Sequence, residues 1–474
     1  MTSAISPSVE RRPRARRESV ENRLTPSLDP LRLALLALTV MTVSRVHQHF
    51  DFIAQLRPAM LLVAVTGFYA VANPKLLVRG SLFRTWPAKV VVALASVACL
   101  STLFGLSVGR SGSYVIENYS KVIVYAFLLI AAIRCTRDLA TFVWGYVIGC
   151  GGLAWLSLFV FGLSQSEGDS VYRLNDLYTF DANDVGCVMM IGLALTLLAF
   201  QTSRGRARWF AGLVMVGIGA TIAKTGSRGA FVGVVVVGIY LLFLLKHISP
   251  VKRIAFVAVV AIALILSAPP GYWEQMKTLA KPTQDYNWSD QEGRVEIAKR
   301  GMGYMFKRPF FGVGIYNFQL AEGTISDKAR YHVPGTPILW SAPHNSYIQV
   351  GAELGIPGLT LWLTLIFGGI YAMHRLRSRL PRHWARGDPE ERFLYLTAMY
   401  LPVALVGFAV TAFFVSFAFL DPIYIVAALM TGLYVSVDAK LRTQLQGAVA
   451  AAPPPPHSGR RQTRSLRLSP FRSR

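Results

Sequence analysis

The chain has 474 residues, of which 53% are hydrophobic and 16% charged, where an ordinary soluble domain carries roughly 25% charged residues. That leaves too little polar surface to cover a water-soluble globule, and the apolar residues gather in runs of about 17 to 25, the length of a helix that crosses roughly 30 Å of hydrocarbon. The formal net charge of +24 does not point to nucleic acid. The cations sit in Arg11-Arg12-Pro13-Arg14-Ala15-Arg16-Arg17, in short connectors and in the stretch from Arg460 to Arg474, where the positive-inside rule places them; no basic face with a core of its own is visible.

In chain order, residues 1–30 read as a cytoplasmic basic tail rather than a cleaved signal peptide. A first helix is expected over about Leu31–Val46 and a second over about Pro58–Ala72. The connector Asn73–Lys89, with Lys75, Arg79, Arg84 and Lys89, is then cytoplasmic. Helices follow over about Val90–Leu106, Asn118–Ile133, Leu139–Leu163 and Val185–Phe200, the last two joined by a polar outer loop, Ser164–Asp184. Trp209–Ala223, Gly229–Leu245 and Ile254–Ala268 come next, separated by the outer connector Lys224–Arg228 and an inner turn with Lys246, Lys252 and Arg253. A long outer loop, residues 269–355, leads to Ile356–Met373, the basic inner loop Arg375–Arg392, and two last helices over about Phe393–Val415 and Leu420–Val437. The division is thus 1–30 tail, 31–268 with nine spans, 269–355 outer loop with short helices, 356–437 with three spans, and 438–474 a disordered cytoplasmic tail, low in complexity from Ala448 through the four prolines at 453–456. The expected fold is an all-α, polytopic transmembrane bundle of about twelve spans with both ends inside.

The four cysteines lie in or beside apolar runs and suggest neither a metal site nor a disulfide framework. The middles of the spans are nearly free of charge, which argues against a proton-coupled transporter. The unexplained charges sit at outer helix ends and in the long loop. In "TFDANDVG", Asp181, Asn183 and Asp184 precede a helix and read as N-capping residues, with hydrogen bonding to an acceptor sugar as the alternative. In "KTGSRGAF", Arg228 stands on the outside, where the charge rule disfavours a cation; Ser227 is a capping candidate, and Gly226 and Gly229 allow close backbone approach.

From Glu292 to about Lys307 the periodicity is helical. Val295, Ile297, Ala298, Met302, Met305 and Phe306 define one face, with Arg294 in the middle of that apolar arc. Glu296, Lys299, Arg300 and Lys307 share the opposite face, so Arg300 is expected to be a solvated charge. "PFFGVG" after it reads as a structural turn. In "APHNSYIQVGAELGIPGL", Ser346 and Gln349 fit a capping box, which predicts a short helix from Tyr347 to Leu354, ended by Gly355 and Pro357. His344 then precedes a helix N-terminus, whose field favours the neutral imidazole that can accept a hydroxyl proton. Glu353 is expected to serve packing or a local hydrogen bond.

"SRGA" opening a span, "GR" leading into "PFFGVGIYNF", and "HNSYIQVGAELGIPG" before the next span resemble the bacterial O-antigen ligase and polymerase superfamily over roughly Asp181–Leu365. The resemblance implies a GT-C-type glycosyltransferase of the bacterial inner membrane, working at the periplasmic face. It transfers a glycan from undecaprenyl diphosphate to a lipid A-core sugar, or, as a polymerase, to another lipid-linked glycan. By motif, His344, Arg228 and Arg294 match the essential histidine and arginines. Asn345, Asp181, Asn183 and Asp421, the last in the outer turn "FLDPIY", are expected substrate contacts. No cofactor or metal is implied: two guanidinium forks would stabilise the leaving diphosphate, His344 would orient or deprotonate the acceptor hydroxyl, and a single displacement would invert the anomeric carbon. Membrane lipids are expected partners and nucleic acid is not. The rival from another class is a lipid-linked glycan flippase or exporter, which would hold diphosphate with arginines along an internal cavity and has no need of His344.

Overall fold

The protein is described here by a computed structural model, covering residues 29–78, 80–165, 172–175, 177, 180–244, 249–281, 293–330 and 341–451. The basic N-terminal tail, Thr179, parts of the long loop and the end of the C-terminal tail lie outside the described residues.

The long helices are α1 (Pro30–Ser44), α2 (Pro58–Ala72), α3 (Trp86–Phe104), α4 (Val108–Ala132), α5 (Thr136–Phe159), α6 (Ala182–Thr202), α7 (Gly205–Lys224), α8 (Arg228–Leu244), α9 (Pro250–Ser267), α10 (Arg294–Lys307), α11 (Ser346–Arg379), α12 (Pro389–Thr411) and α13 (Asp421–Ala451). Each apolar run read from the sequence coincides with one of them. Among the described residues nine helices are long and apolar enough to cross a membrane, or ten if α2 and Pro74–Arg84, bent by 98° at their junction, form one span. That is fewer than the expected twelve because α1 and α8 have 15 and 17 residues; at 1.5 Å per residue they rise only about 22–26 Å.

Among the described residues the helical architecture has one small interruption. Leu163–Ser164 (β1) pairs antiparallel with Arg173–Leu174 (β2) in the connector before α6. The last helix also runs on through Ala451, beyond the end of its apolar run at Val437.

The core is built around α6, α12 and α13, each buried over 83% of its apolar window, against 18% for α9 at the periphery. Small residues allow this closeness: a Cβ at Gly192 of α6 would run into Cys150 of α5. The charged groups at the start of α1 are spent on structure. Buried Arg32 donates to Asp29 at 2.7 Å and to the carbonyls of Leu76 and Ala132 at 2.6 and 2.7 Å, tying three connectors together.

The segment between α9 and α11 docks onto the bundle through backbone. The "PFFGVG" turn lies against α11: Val313 N–H donates to Ala352 O at 2.8 Å, Gly314 N–H to Glu353 O at 3.2 Å, and Ile356 N–H to Pro309 O at 2.7 Å. Glu353 is buried and its Oε1 accepts from Phe318 N–H at 3.0 Å, the local hydrogen bond expected of it. Gly355 takes φ +71°, and a Cβ there would sit 2.5 Å from Pro309 O, so only glycine fits this contact. Gly355 is non-helical (φ +71°, ψ −170°), so the short helix that opens α11 ends there, as expected, and a second helix carries α11 on across the kink.

Candidate active site

The N-terminus of α6 is capped by Asp181, whose Oδ1 accepts from the N–H groups of Asn183 (2.6 Å) and Asp184 (2.8 Å), while Asp184 Oδ2 accepts from Asp181 N–H at 3.0 Å. That reciprocal box is the capping role read from the sequence. It leaves the Asn183 side chain free to turn away, and its Oδ1 accepts from Arg173 Nη2 at 3.0 Å.

The turn between α7 and α8 is fastened by Ser227, whose Oγ accepts from Ala230 N–H at 3.2 Å. A Cβ at Gly226 would meet the Arg173 side chain at 2.9 Å, and one at Gly229 would meet Phe414 Cβ at 2.7 Å. The two glycines therefore let Arg173 lie over the turn and α12's end close on it. Arg228 opens α8 and donates from Nη1 to Thr278 Oγ1 at 3.0 Å.

Arg294 opens α10 on its buried side, one turn ahead of Ile297, Gly301 and Tyr304, as its place in the apolar arc predicted. Of the expected arc only Ile297 is buried, with Met302 and Phe306 41% and 69% exposed, and the buried face turns instead toward Gly301 and Tyr304. Arg300 departs from expectation. It is not a solvated charge: its guanidinium donates to both carboxylate oxygens of fully buried Glu322, the shortest contact being 2.7 Å, and Tyr304 Oη donates to the same carboxylate at 2.7 Å. Periodicity put the side chain on the solvated face because it could not give the acid 22 residues further on.

At α11 the cap is Asn345 rather than Ser346. Asn345 Oδ1 accepts from Tyr347 N–H at 2.9 Å and Ile348 N–H at 3.2 Å. Ser346 Oγ instead donates to Val415 O at 2.8 Å and accepts from Phe417 N–H at 2.9 Å, joining α11 to the α12–α13 turn. His344 precedes the cap with φ +42°, a backbone region that a residue with a Cβ occupies at a cost. Its pKa is pushed below the ordinary imidazole value by burial and then by Arg294, with Asp181 opposing.

These parts meet. Arg173, Arg228 and Arg294 line one cleft together with Asn183, Gln275, Gly226, Gly229 and Phe414, and the charge of Arg294 reaches His344. The lining has three guanidinium groups, two amides and, among the described residues, no carboxylate. Asp421 lies elsewhere, paired with Arg45 at 3.3 Å. Sequence reasoning missed Arg173, Gln275 and Arg45. Arg45, like Arg228, is a cation at a helix end and carried the same signal; Arg173 lies in β2 and carried none. Beside the cleft an apolar groove of about 300 Å³ runs between α8 and α9, from Phe231 and Trp273 to Leu242 and Val257.

A three-arginine cleft suits a dense anion such as a diphosphate, because guanidinium forks are permanently charged and grip phosphoryl oxygens in pairs. Among the described residues, no group of three or more His, Cys, Asp or Glu side chains is placed to hold a metal ion. No curated protein matches the chain. Residues 213–363 match the family model described as O-antigen ligase, a match consistent with a membrane glycosyltransferase of the O-antigen ligase or polymerase type; that stretch holds Arg228, Arg294, His344 and Asn345, and over it the chain carries a domain of the O-antigen ligase superfamily.

Proposed function

We propose that the protein transfers a glycan from undecaprenyl diphosphate to a lipid A-core sugar at the periplasmic face of the bacterial inner membrane, without a metal ion and with inversion at the anomeric carbon. The observation that carries this reading is the cleft of Arg173, Arg228 and Arg294, lined by no carboxylate among the described residues, with the charge of Arg294 bearing on His344. The diphosphate lies among the guanidinium groups, and the polyprenyl chain lies along the apolar groove that starts at Phe231 and Trp273. The acceptor oxygen forms a bond to the anomeric carbon as the bond from that carbon to the diphosphate oxygen breaks. The acceptor's proton passes to the neutral imidazole of His344, and the leaving diphosphate keeps the electron pair without needing to be protonated.

The organisation that accompanies this reading is a GT-C-like bundle of twelve spans, α1 and α8 included, with both termini cytoplasmic. The connectors rich in Arg and Lys face the cytoplasm, and the loop of residues 269–355 faces the periplasm. Asp181 and Asn183 border the cleft through Arg173 and are the residues of the acceptor-proximal wall. Asn345, held as a cap, shapes the turn that presents His344.

The test uses purified full-length protein with an undecaprenyl-diphosphate-linked glycan and two acceptors offered separately, lipid A-core and a second lipid-linked glycan. Transfer to lipid A-core that persists in chelator is the expected result. Arg294→Lys, Arg294→Ala, Arg228→Ala and His344→Ala should each lower it by about two orders of magnitude or more at matched membrane levels. Transfer only to the lipid-linked glycan would make the protein a polymerase. Translocation of the donor with no transfer, unaffected by His344→Ala, would make it a flippase and end the enzymatic reading.

A further inference from the structure

A second polar site lies outside the arginine cleft. Arg45 ends α1 in the left-handed region, φ +55°, with its N–H bonded to Met41 O at 2.9 Å. That turn carries its guanidinium over the ring of Phe180, 4.7 Å from the centroid, and within 3.3 Å of Asp421 Oδ2. The side chains of the pair are 16% and 11% exposed, so both charges are largely withdrawn from water.

Such a pair is under-bonded. Arg32, at the opposite end of the same helix, makes three hydrogen bonds of 2.6–2.7 Å, and its Nε, though not hydrogen-bonded, faces Asp138 Oδ1 at 3.3 Å. Among the described residues the Arg45 side chain makes one hydrogen bond, at 3.3 Å, and its Nε is buried with no hydrogen-bond partner. A buried guanidinium N–H without a partner costs free energy comparable to a lost hydrogen bond, and in a folded protein it asks for an explanation.

The surroundings indicate what would complete it. Phe180 packs on Phe417 at 5.7 Å, and Phe417 N–H donates to Ser346 Oγ, so the pair stands within a few side chains of the turn that presents His344. Phe180 also leads directly into the Asp181 cap, whose Asn183 faces the arginine cleft while Asp184 bears electrostatically on Arg45. Among the described residues the arginine cleft is lined by three guanidinium groups and no carboxylate; here the guanidinium is balanced by Asp421. A diphosphate would be repelled by that carboxylate. An uncharged polyol is not: its hydroxyls donate to a carboxylate and accept from a guanidinium, and both bonds are strengthened where water is excluded.

On the glycosyl-transfer reading above, we propose that Arg45 and Asp421, roofed by Phe180, form the subsite that binds hydroxyl groups of the acceptor sugar. Arg45 contributes the directional N–H donors, which a lysine ammonium in the same place cannot reproduce.

The experiment compares wild type with Arg45→Lys, Arg45→Ala and Asp421→Asn in the full chain, titrating donor and lipid A-core acceptor separately. The expected result is an acceptor KM raised roughly tenfold or more, a donor KM within about twofold of wild type, and no rescue by lysine. A parallel measurement without donor uses saturation-transfer NMR with delipidated core oligosaccharide: wild type should give a saturable signal that Arg45→Lys loses. Arg45→Lys keeps the charge opposite Asp421 and serves where the alanine variant fails to fold. Equal rises in both KM values, a fall in kcat alone, or oligosaccharide binding equal in wild type and Arg45→Lys would overturn the assignment. Absence of transfer by wild type, with the oligosaccharide still bound through Arg45, would instead sink the transferase reading and leave the sugar site standing.

Discussion

The positive charge of Arg294 bears on His344. Burial already disfavours the imidazolium, and the nearby guanidinium disfavours it further. A histidine whose folded pKa lies below 6.5 is neutral, and able to take a proton, over all of the neutral range and part of the acid range. The acid limb of the transfer rate should therefore fall below pH 6.5. In Arg294→Gln one of the two depressing causes is gone, so the limb of the residual activity moves to higher pH. NMR titration of the labelled His344 imidazole checks the same point without turnover. An unchanged or lowered midpoint in the variant would mean that the charge of Arg294 does not bear on the histidine. The residues at this centre were legible from the sequence because each breaks a local rule: Arg228 stands against the charge rule, Arg294 interrupts an apolar arc, and His344 precedes a helix start. Arg173 was not, since nothing in "VYRLND" marks a side chain that packs over a glycine of another turn.

At the scale of elements, α10 is held by an ion pair that its own sequence does not contain. Glu322 is fully buried, and Arg300 and Tyr304 satisfy it from one face of the helix. Removing one partner of such a pair leaves an uncompensated charge and typically costs about 3–5 kcal/mol. Arg300→Ala should therefore lower thermal stability and loosen α10. The double variant Arg300→Met with Glu322→Leu should recover most of the loss, since an apolar pair of similar volume carries no stranded charge. Equal melting for wild type and Arg300→Ala would return Arg300 to the solvated face that periodicity alone assigns. The "PFFGVG" turn makes a second demand. Gly312 has φ +66°, and a Cβ on it would collide with the backbone of Glu353. Gly312→Ala should separate the turn from α11 and lower both expression and transfer, whereas Gly303→Ala, where a Cβ meets nothing within 4 Å, should do neither. The cap of α11 shows the limit of motif reading: Ser-x-x-Gln fits a capping box, but Asn345 one residue earlier is the better cap, and Ser346 is needed for a contact with the α12–α13 turn.

Over the whole molecule, apolar runs marked every long hydrophobic helix because lipid imposes a single requirement, that all backbone groups be satisfied within the segment. What the runs left open is which of the shorter helices cross. Length alone passes nine or ten of them, with α1 and α8 below the threshold. Charge supplies the remaining constraint. With α1 and α8 counted, Arg204, Arg206, Arg208 and the basic stretch from Arg375 to Arg392 fall on one side of the membrane, while the cleft arginines fall on the other. Leaving out either helix would invert the charge pattern over everything that follows it. The segment Asp327–Arg330 lies between α9 and α11, with the Asp327 side chain 72% exposed; Arg386 lies between α11 and α12 and is exposed. In a cysteine-free background, Asp327→Cys should react with a membrane-impermeant maleimide on intact spheroplasts. Arg386→Cys should react only after the membrane is opened. Labelling of both from the same side would contradict a single crossing by α11. Labelling of Arg386→Cys alone on intact cells would place the arginine cleft in the cytoplasm, where no periplasmic transfer could occur.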